Sequence, residues 1–118
     1  QVTTVDPLPY NPPTLNPIEN ADRDDNYTIS WTYPITSTEI VSVTGYILEE
    51  SSDPYFVDTQ VIYDGEDTEK IITGQPVGTW YYRLRSYGAE GFSPWSSSES
   101  VFVDAWIFMP MIYQSNQP

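Results

Sequence analysis

The chain has 118 residues, a length that suits one domain with a single hydrophobic core. Its four basic and seventeen acidic residues give a formal net charge of −13, which disfavours binding to nucleic acid or to an anionic membrane. Neither cysteine nor histidine is present, so disulfides, cysteine-based zinc sites, thiol nucleophiles and imidazole bases are excluded within this chain. We therefore expect no enzyme activity and no cofactor.

The composition favours an all-β domain. Ten tyrosines, four tryptophans and four phenylalanines accompany frequent threonine, valine and isoleucine, the residues that are enriched in strands. Prolines are dense from residue 1 to residue 12, which predicts a stiff, extended linker before a domain at 13–104. Because the first residue is glutamine rather than methionine, we expect this chain to be part of a longer protein.

The first strand is predicted near Thr14, and Pro17 indicates a sheet edge because proline cannot donate to a hydrogen-bond ladder. The polar turn 20–26 comes next. In it, Asp22, Asp24 and Asn26 have the spacing of the first three ligands of a calcium loop, but the glycine and the glutamate that such a loop needs are absent. The alternatives are an incomplete calcium site and a solvated turn.

Alternating patterns then predict strands at 26–33, within 41–56, at 59–65 and at 68–73. In the first of these Trp31 is the predicted centre of the core, and in the second Tyr46 and Leu48 point inward. The stretch 78–96 contains the strongest alternation. It places one set of side chains inward, Trp80, Tyr82, Leu84 and Ser86, and another outward, Tyr81, Arg83, Arg85 and Tyr87. A last strand at 95–103, with Val101 and Val103 inward, brings the total to about seven strands.

Five pieces of sequence occur in order: NYTISW, GYILEES, VIYDG, GTWYYRLRS and GFSPWS. Together they resemble a fibronectin type III domain, of the kind repeated in large secreted bacterial proteins, from about residue 12 to residue 104. The resemblance implies a seven-stranded antiparallel β-sandwich of the fibronectin type III or immunoglobulin-like type. One departure is Trp80, which stands where the family usually has a corner tyrosine, so the hydroxyl-to-backbone bond must be absent or made by another group.

In this topology the strands that contain Glu49 and Arg83 are neighbours. We expect Glu49 to form a cross-strand ion pair with Arg83 or Arg85, contributing less than about 1 kcal/mol if it is exposed. Tyr81 and Tyr87 on the same face are candidates for stacking on sugar rings or for covering the face against a partner.

An apolar C-terminal extension occupies 105–118. We interpret it as an extra extended segment that packs on the sandwich or on a neighbouring molecule, or as the terminal sequence found after such domains in some secreted bacterial proteins. Five of its residues are candidates for a docking segment: Trp106, Phe108, Met109, Ile112 and Tyr113.

The resemblance implies a non-catalytic spacer or accessory module near the C-terminus of an extracellular or cell-surface bacterial protein, a hydrolase for example. Its partners are then other domains of the same protein. Two alternatives remain open. One is a carbohydrate or cell-wall binding module that uses the outward aromatic residues, and the other is protein–protein docking through residues 105–113.

Overall fold

The structure is a computed structural model that describes residues 11–33 and 43–104. Within these residues eight strands form, and no helix has the length and hydropathy that crossing a membrane requires. In chain order the strands are β1 (Thr14–Leu15), β2 (Tyr27–Thr32), β3 (Gly45–Ser51), β4 (Gln60–Gly65), β5 (Glu69–Ile72), β6 (Gly78–Gly88), β7 (Gly91–Phe92) and β8 (Glu99–Val103).

The described strands form two antiparallel sheets. The first has the order β1-β2-β5, and the second has the order β4-β3-β6, with β7 and β8 both pairing with the other side of β6. The prediction of an all-β antiparallel sandwich is therefore confirmed. Strand β1 lies at a sheet edge, as Pro17 indicated. The predicted linker at 1–12 and extension at 105–118 lie almost wholly outside the described residues, and the domain boundaries stay a prediction.

The core lies between the sheets and follows the predicted alternation. The side chains of Ile29, Leu48, Leu84 and Val103 are fully buried, and burying an aliphatic side chain of this size contributes about 1.5–3 kcal/mol. The ring of Trp31 packs against Tyr46 and Tyr63, with ring centroids 5.9 Å apart in both pairs. Trp31 is thus the centre of one half of the core.

The predicted strand at 95–103 is wrong in its first part, since β8 begins only at Glu99. Two serine side chains explain the difference. Ser93 and Ser96 each donate a backbone N–H to a carbonyl of β6, and each hydroxyl oxygen accepts an N–H of β6 in return. Together these four bonds, 2.7–3.1 Å long, satisfy the backbone N–H and carbonyl groups of Leu84 and Ser86, so residues 93–96 follow β6 without a regular ladder.

Trp80 stands at the position of the corner tyrosine and makes a different hydrogen bond. Its indole Nε1 donates to the carbonyl oxygen of Pro76 at 2.9 Å, four residues upstream. The side chain therefore ties the start of β6 to the preceding loop, as the tyrosine hydroxyl would. The sequence left open whether this bond is absent or made by another group, and the structure shows that the indole of Trp80 makes it.

A buried polar network joins the two sheets at one end of the sandwich. The hydroxyl groups of Tyr27 in β2 and Tyr82 in β6 are 2.5 Å apart. Gln75 Nε2 lies 3.1 and 3.0 Å from these oxygens, which share one of its two N–H groups. Glu50 in β3 accepts from Gln75 at 2.6 Å and from the Tyr82 hydroxyl at 2.8 Å. Each polar group therefore has a partner, which a buried network needs if it is to stabilise the fold.

Gln75→Leu removes the amide at the centre of this network. We expect the free energy of unfolding to fall by about 1–3 kcal/mol, because Glu50 and the two tyrosine hydroxyls lose a partner in a buried place. Urea denaturation should show a lower midpoint with an unchanged slope. Gln60→Leu, at an exposed position of β4, is the matched control and should change stability by no more than about 0.5 kcal/mol. Equal losses in the two variants would contradict the role of Gln75.

Alkaline pH should also destabilise the folded domain through this network, because it ionises tyrosine. Burial, together with the bonds to Tyr27 and Glu50, raises the pKa of Tyr82 well above its ordinary value. A tyrosine in the unfolded chain ionises near about pH 10, so the stabilisation from Tyr82 is complete below that pH and is lost as the pH rises above it.

Tyr82→Phe should therefore reduce the decline of the unfolding free energy above about pH 10 by about 1.4 kcal/mol per pH unit. Urea denaturation between about pH 8 and pH 11 measures this slope. Tyr55→Phe, at a side chain that is 84% exposed, should leave the decline as it is in the unaltered chain. If both variants keep the same decline, Tyr82 is not the group responsible.

Candidate functional site on the outer face of the five-stranded sheet

The outer face of the second sheet holds the predicted site residues. In the register of β3 and β6, Glu49 lies opposite Arg83, Ile47 opposite Arg85, and Gly45 opposite Tyr87. These pairs lie on one face of the sheet because side chains alternate between its two faces in both strands. The structure thus brings Glu49 and Arg83 together at the centre of the face.

The predicted ion pair is present and is formed with Arg83. Glu49 Oε1 accepts from both Nε and Nη2 of Arg83 at 2.9 Å. The side chains are only 27% and 14% exposed, for Arg83 and Glu49, so the pair is more enclosed than the sequence suggested. A charge-assisted pair at a half-buried place contributes about 1 kcal/mol.

Three aromatic side chains enclose the two arginines. The Arg83 guanidinium lies over the rings of Phe56 and Trp95, at 4.6 and 4.2 Å from the centroids. The Arg85 guanidinium lies over Trp95 and Phe92, at 4.5 and 4.0 Å. We call the series Phe56, Arg83, Trp95, Arg85 and Phe92 the arginine–aromatic stack. Within it Trp95 is shared by both cations, and each contact contributes roughly 0.5–1 kcal/mol.

Two of the aromatic members, Trp95 and Phe56, are positioned by local features of the backbone. Trp95 lies between Ser93 and Ser96, whose bonds to β6 fix this segment beside the arginines. Phe56 has a φ of 57°, a left-handed conformation that is unusual for an aromatic residue and costs about 1–3 kcal/mol. The bond from Phe56 N–H to the Asp53 carbonyl, at 3.0 Å, helps to hold this conformation.

Tyr87 and Tyr81 do not form one platform. They lie on the same strand face six positions apart, which corresponds to about 20 Å. The Tyr87 ring covers Gly45, and its hydroxyl donates to Asp64 at 2.6 Å. This hydrogen bond, more than burial, raises the pKa of Tyr87. Tyr87 is therefore held against its own sheet, and any sugar would meet the two tyrosines separately.

The turn with the calcium spacing is closed by its own hydrogen bonds. Asp24 Oδ1 accepts from the N–H of Asn26 at 3.3 Å, and Asn26 Oδ1 accepts from the N–H of Gly74 at 3.1 Å. Asn20 Oδ1 also accepts from the N–H of Asp24, at 3.2 Å. In residues 11–33 and 43–104 no group of three acidic side chains is placed to hold a metal ion. Calcium binding by Asp22, Asp24 and Asn26 stays a prediction.

The sequence pattern identified the arginines but missed Phe56, Phe92 and Trp95. Phe56 lies in a loop, and the alternation that identifies strands is absent there. The segment SPWS at 93–96 did carry a signal for Trp95. A serine hydroxyl can accept a backbone N–H in place of a carbonyl of a neighbouring strand, and a serine stands on either side of this tryptophan. The docking candidates Trp106, Phe108, Met109, Ile112 and Tyr113 lie outside the described residues.

No family model matches the sequence, and no curated protein matches it. Solved structures share its fold. The sixth fibronectin type III domain of human fibronectin type III domain containing protein 3 is 22% identical, with a TM-score of 0.62 over 86% of this chain and 90% of that one. A Fn3-like protein from Clostridium thermocellum is 14% identical, with a TM-score of 0.60 over 80% of this chain and 94% of that one.

Domains A168–A170 of titin are 17% identical, with a TM-score of 0.63. The match covers 80% of this chain but only 32% of the titin fragment, so the chain spans about a third of that structure. These likenesses show that the chain has the fibronectin type III fold, and the resemblance seen in the sequence is confirmed at that level. At these identities they show the fold alone.

Trp95→Ala removes the shared member of the arginine–aromatic stack. We expect a loss of about 2–3 kcal/mol in the free energy of unfolding, because two cation–π contacts and a half-buried ring disappear together. Thermal and urea denaturation measure the loss. The matched control is Tyr55→Ala, which truncates an aromatic side chain that is 84% exposed and should cost no more than about 0.5 kcal/mol. A Trp95 variant as stable as this control would show that the stack does not stabilise the domain.

Proposed function

We propose that this chain is a non-catalytic fibronectin type III-like module that spaces or presents the neighbouring domains of a larger secreted or cell-surface protein. Its partners are then other domains of the same protein. The fold supports this proposal, since sandwiches of this type are common in cell-surface proteins. The observation that carries it is the placement of the two ends of the described chain at opposite ends of the sandwich.

The chain enters beside the end of β6. The carbonyl oxygen of Asn11 accepts from the Ser86 hydroxyl at 3.3 Å, and its N–H donates to the Tyr33 hydroxyl at 3.2 Å. The chain leaves beside the start of β6, where Val103 pairs with Gly78. Eight residues of β6 separate Gly78 from Ser86, which corresponds to about 26 Å. Such a module adds a fixed length between its two neighbouring domains.

Both ends of the described chain are hydrogen-bonded to the sandwich. At the second end Asp104 N–H donates to the Arg23 carbonyl at 3.1 Å, and the Asp104 carboxylate lies 3.5 Å from the Arg23 guanidinium. A pair exposed to this extent contributes little energy, but it fixes the direction in which the chain leaves. Fixed directions at both ends are what a spacer needs in order to hold its neighbours apart.

Three of the acidic side chains are engaged in holding the sandwich together. Glu49 binds Arg83, Asp64 accepts from Tyr87, and Glu50 lies in the buried network. Acid–base catalysis needs a positioned group that can reach a substrate. The structural use of these carboxylates supports a mechanical role over a catalytic one.

A distance measurement tests the spacing role. Because the sequence lacks cysteine, Pro12→Cys and Phe102→Cys create unique spin-label positions at two exposed places. We expect one narrow distance distribution centred at about 25–30 Å. The distribution should stay the same when a folded reporter domain is fused to each side of the chain.

A broad distribution would contradict the proposal, as would a second population below about 15 Å. The pair Phe102→Cys/Thr79→Cys is the control, since these residues lie directly opposite in β8 and β6. It should report a contact distance in both the isolated chain and the fusion. A change in this control would mean that labelling has disturbed the sheet.

A further inference from the structure

Three exposed apolar side chains cluster beside the arginine–aromatic stack. Tyr55 is 84% exposed, Val57 is 78% exposed and Val61 is 53% exposed. We call them the Tyr55 patch. Tyr55 and Val57 flank Phe56, whose ring packs on Arg83, and Arg83 binds Glu49, which lies opposite Val61. All three side chains therefore lie near the Phe56 end of the stack, around the Arg83–Glu49 pair.

The loop that carries the patch is held in one shape. Asp53 organises it: its Oδ2 accepts the N–H of Val57 at 2.9 Å, and its own N–H donates to the Ser51 hydroxyl at 2.9 Å. The carbonyl of Asp53 accepts from Phe56, which is held in its left-handed conformation. A side chain presented by an ordered loop loses little conformational entropy on binding. Tyrosine in such a position is typical of the central anchors of protein interfaces.

The surroundings of the patch define the charge of its partner. Every charged residue from 49 to 69 is acidic, and the two beside Tyr55 and Val57 in the sequence are Asp53 and Asp58. The nearest cation, Arg83, is already neutralised by Glu49, and Arg85 lies on the far side of Trp95. An apolar centre with an acidic rim is complementary to an apolar surface with a basic rim. A second copy of this chain is a poor partner, because two molecules with a net charge of −13 repel each other.

The geometry points to the Tyr55 patch as a docking surface for a protein segment that alternates basic and apolar side chains. The tyrosine ring and the two valines contact the apolar side chains of that segment, and the acidic rim attracts its lysines or arginines. This inference is independent of the spacing role, since it concerns one loop and one sheet edge. The two can therefore succeed or fail separately.

Two short peptides test it against the unaltered chain. One alternates lysine and isoleucine, and the other, of equal length and charge, alternates lysine and serine. Titration is followed by the amide resonances of the ¹⁵N-labelled protein. We expect the lysine–isoleucine peptide to shift the resonances of Tyr55, Val57 and Val61, with an affinity at least about tenfold higher than that of the lysine–serine peptide.

The variant Tyr55→Ser/Val57→Ser should lower the affinity for the lysine–isoleucine peptide about tenfold. Ile71→Ser is the matched control, because it removes a side chain that is 61% exposed on the other sheet and leaves the patch intact. It should bind as the unaltered chain does. Both substitutions are at the surface, and dispersed amide resonances would show that each variant is folded.

Several results would overturn the inference. Equal affinity for the two peptides would show attraction by charge alone. Equal losses in the patch variant and in Ile71→Ser would show binding without a defined surface. The absence of shifts at the patch up to about 1 mM peptide would show that it does not bind this class of ligand. Shifts that depend on protein concentration without peptide would make a second copy the occupant.

Discussion

The antiparallel pairing of β3 with β6 sets the positions of both the core and the outer face. Seven residue pairs join the two strands, from Gly45 opposite Tyr87 to Ser51 opposite Tyr81. Because side chains alternate, this one register buries Leu48 and Leu84 in the core and places Glu49 beside Arg83 outside. A shift of β6 by one residue would turn its arginines inward and its Leu84 outward. The core and the outer face are therefore two consequences of the same pairing.

The outer face owes its form to an interruption in the sheet. Where a regular strand would continue the ladder beside β6, the side chains of Ser93 and Ser96 replace the backbone partners. Side chains in this segment therefore need not alternate as they do in a strand. This allows Trp95 to lie between Arg83 and Arg85, which belong to one face of β6. Two like charges that lie side by side on one face of a strand repel each other. The aromatic rings and Glu49 offset that repulsion.

Acidic side chains predominate on the surface of the module. All three arginines have partners: Arg23 pairs with Asp104, Arg83 with Glu49, and Arg85 stacks on aromatic rings. The acidic residues far outnumber them, so the region from 49 to 69 carries only negative charge. A module whose central face is closed by internal contacts can act as a rigid body. The exposed loop that carries Tyr55 is the surface that we propose for recognition of another molecule.

The amino-acid pattern alone specifies the all-β class, the position of most strands along the chain and the inward residues, because a period of two is a local property that backbone geometry imposes. It also specifies the pairing of Glu49 with an arginine, since a known topology makes their strands neighbours. The choice of Arg83, the start of the last strand and the enclosure of the cations by Phe56 and Trp95 arise only in the folded molecule. Those features depend on contacts between a loop, an interrupted strand and a sheet face that are distant in sequence. No local pattern encodes the distance between them.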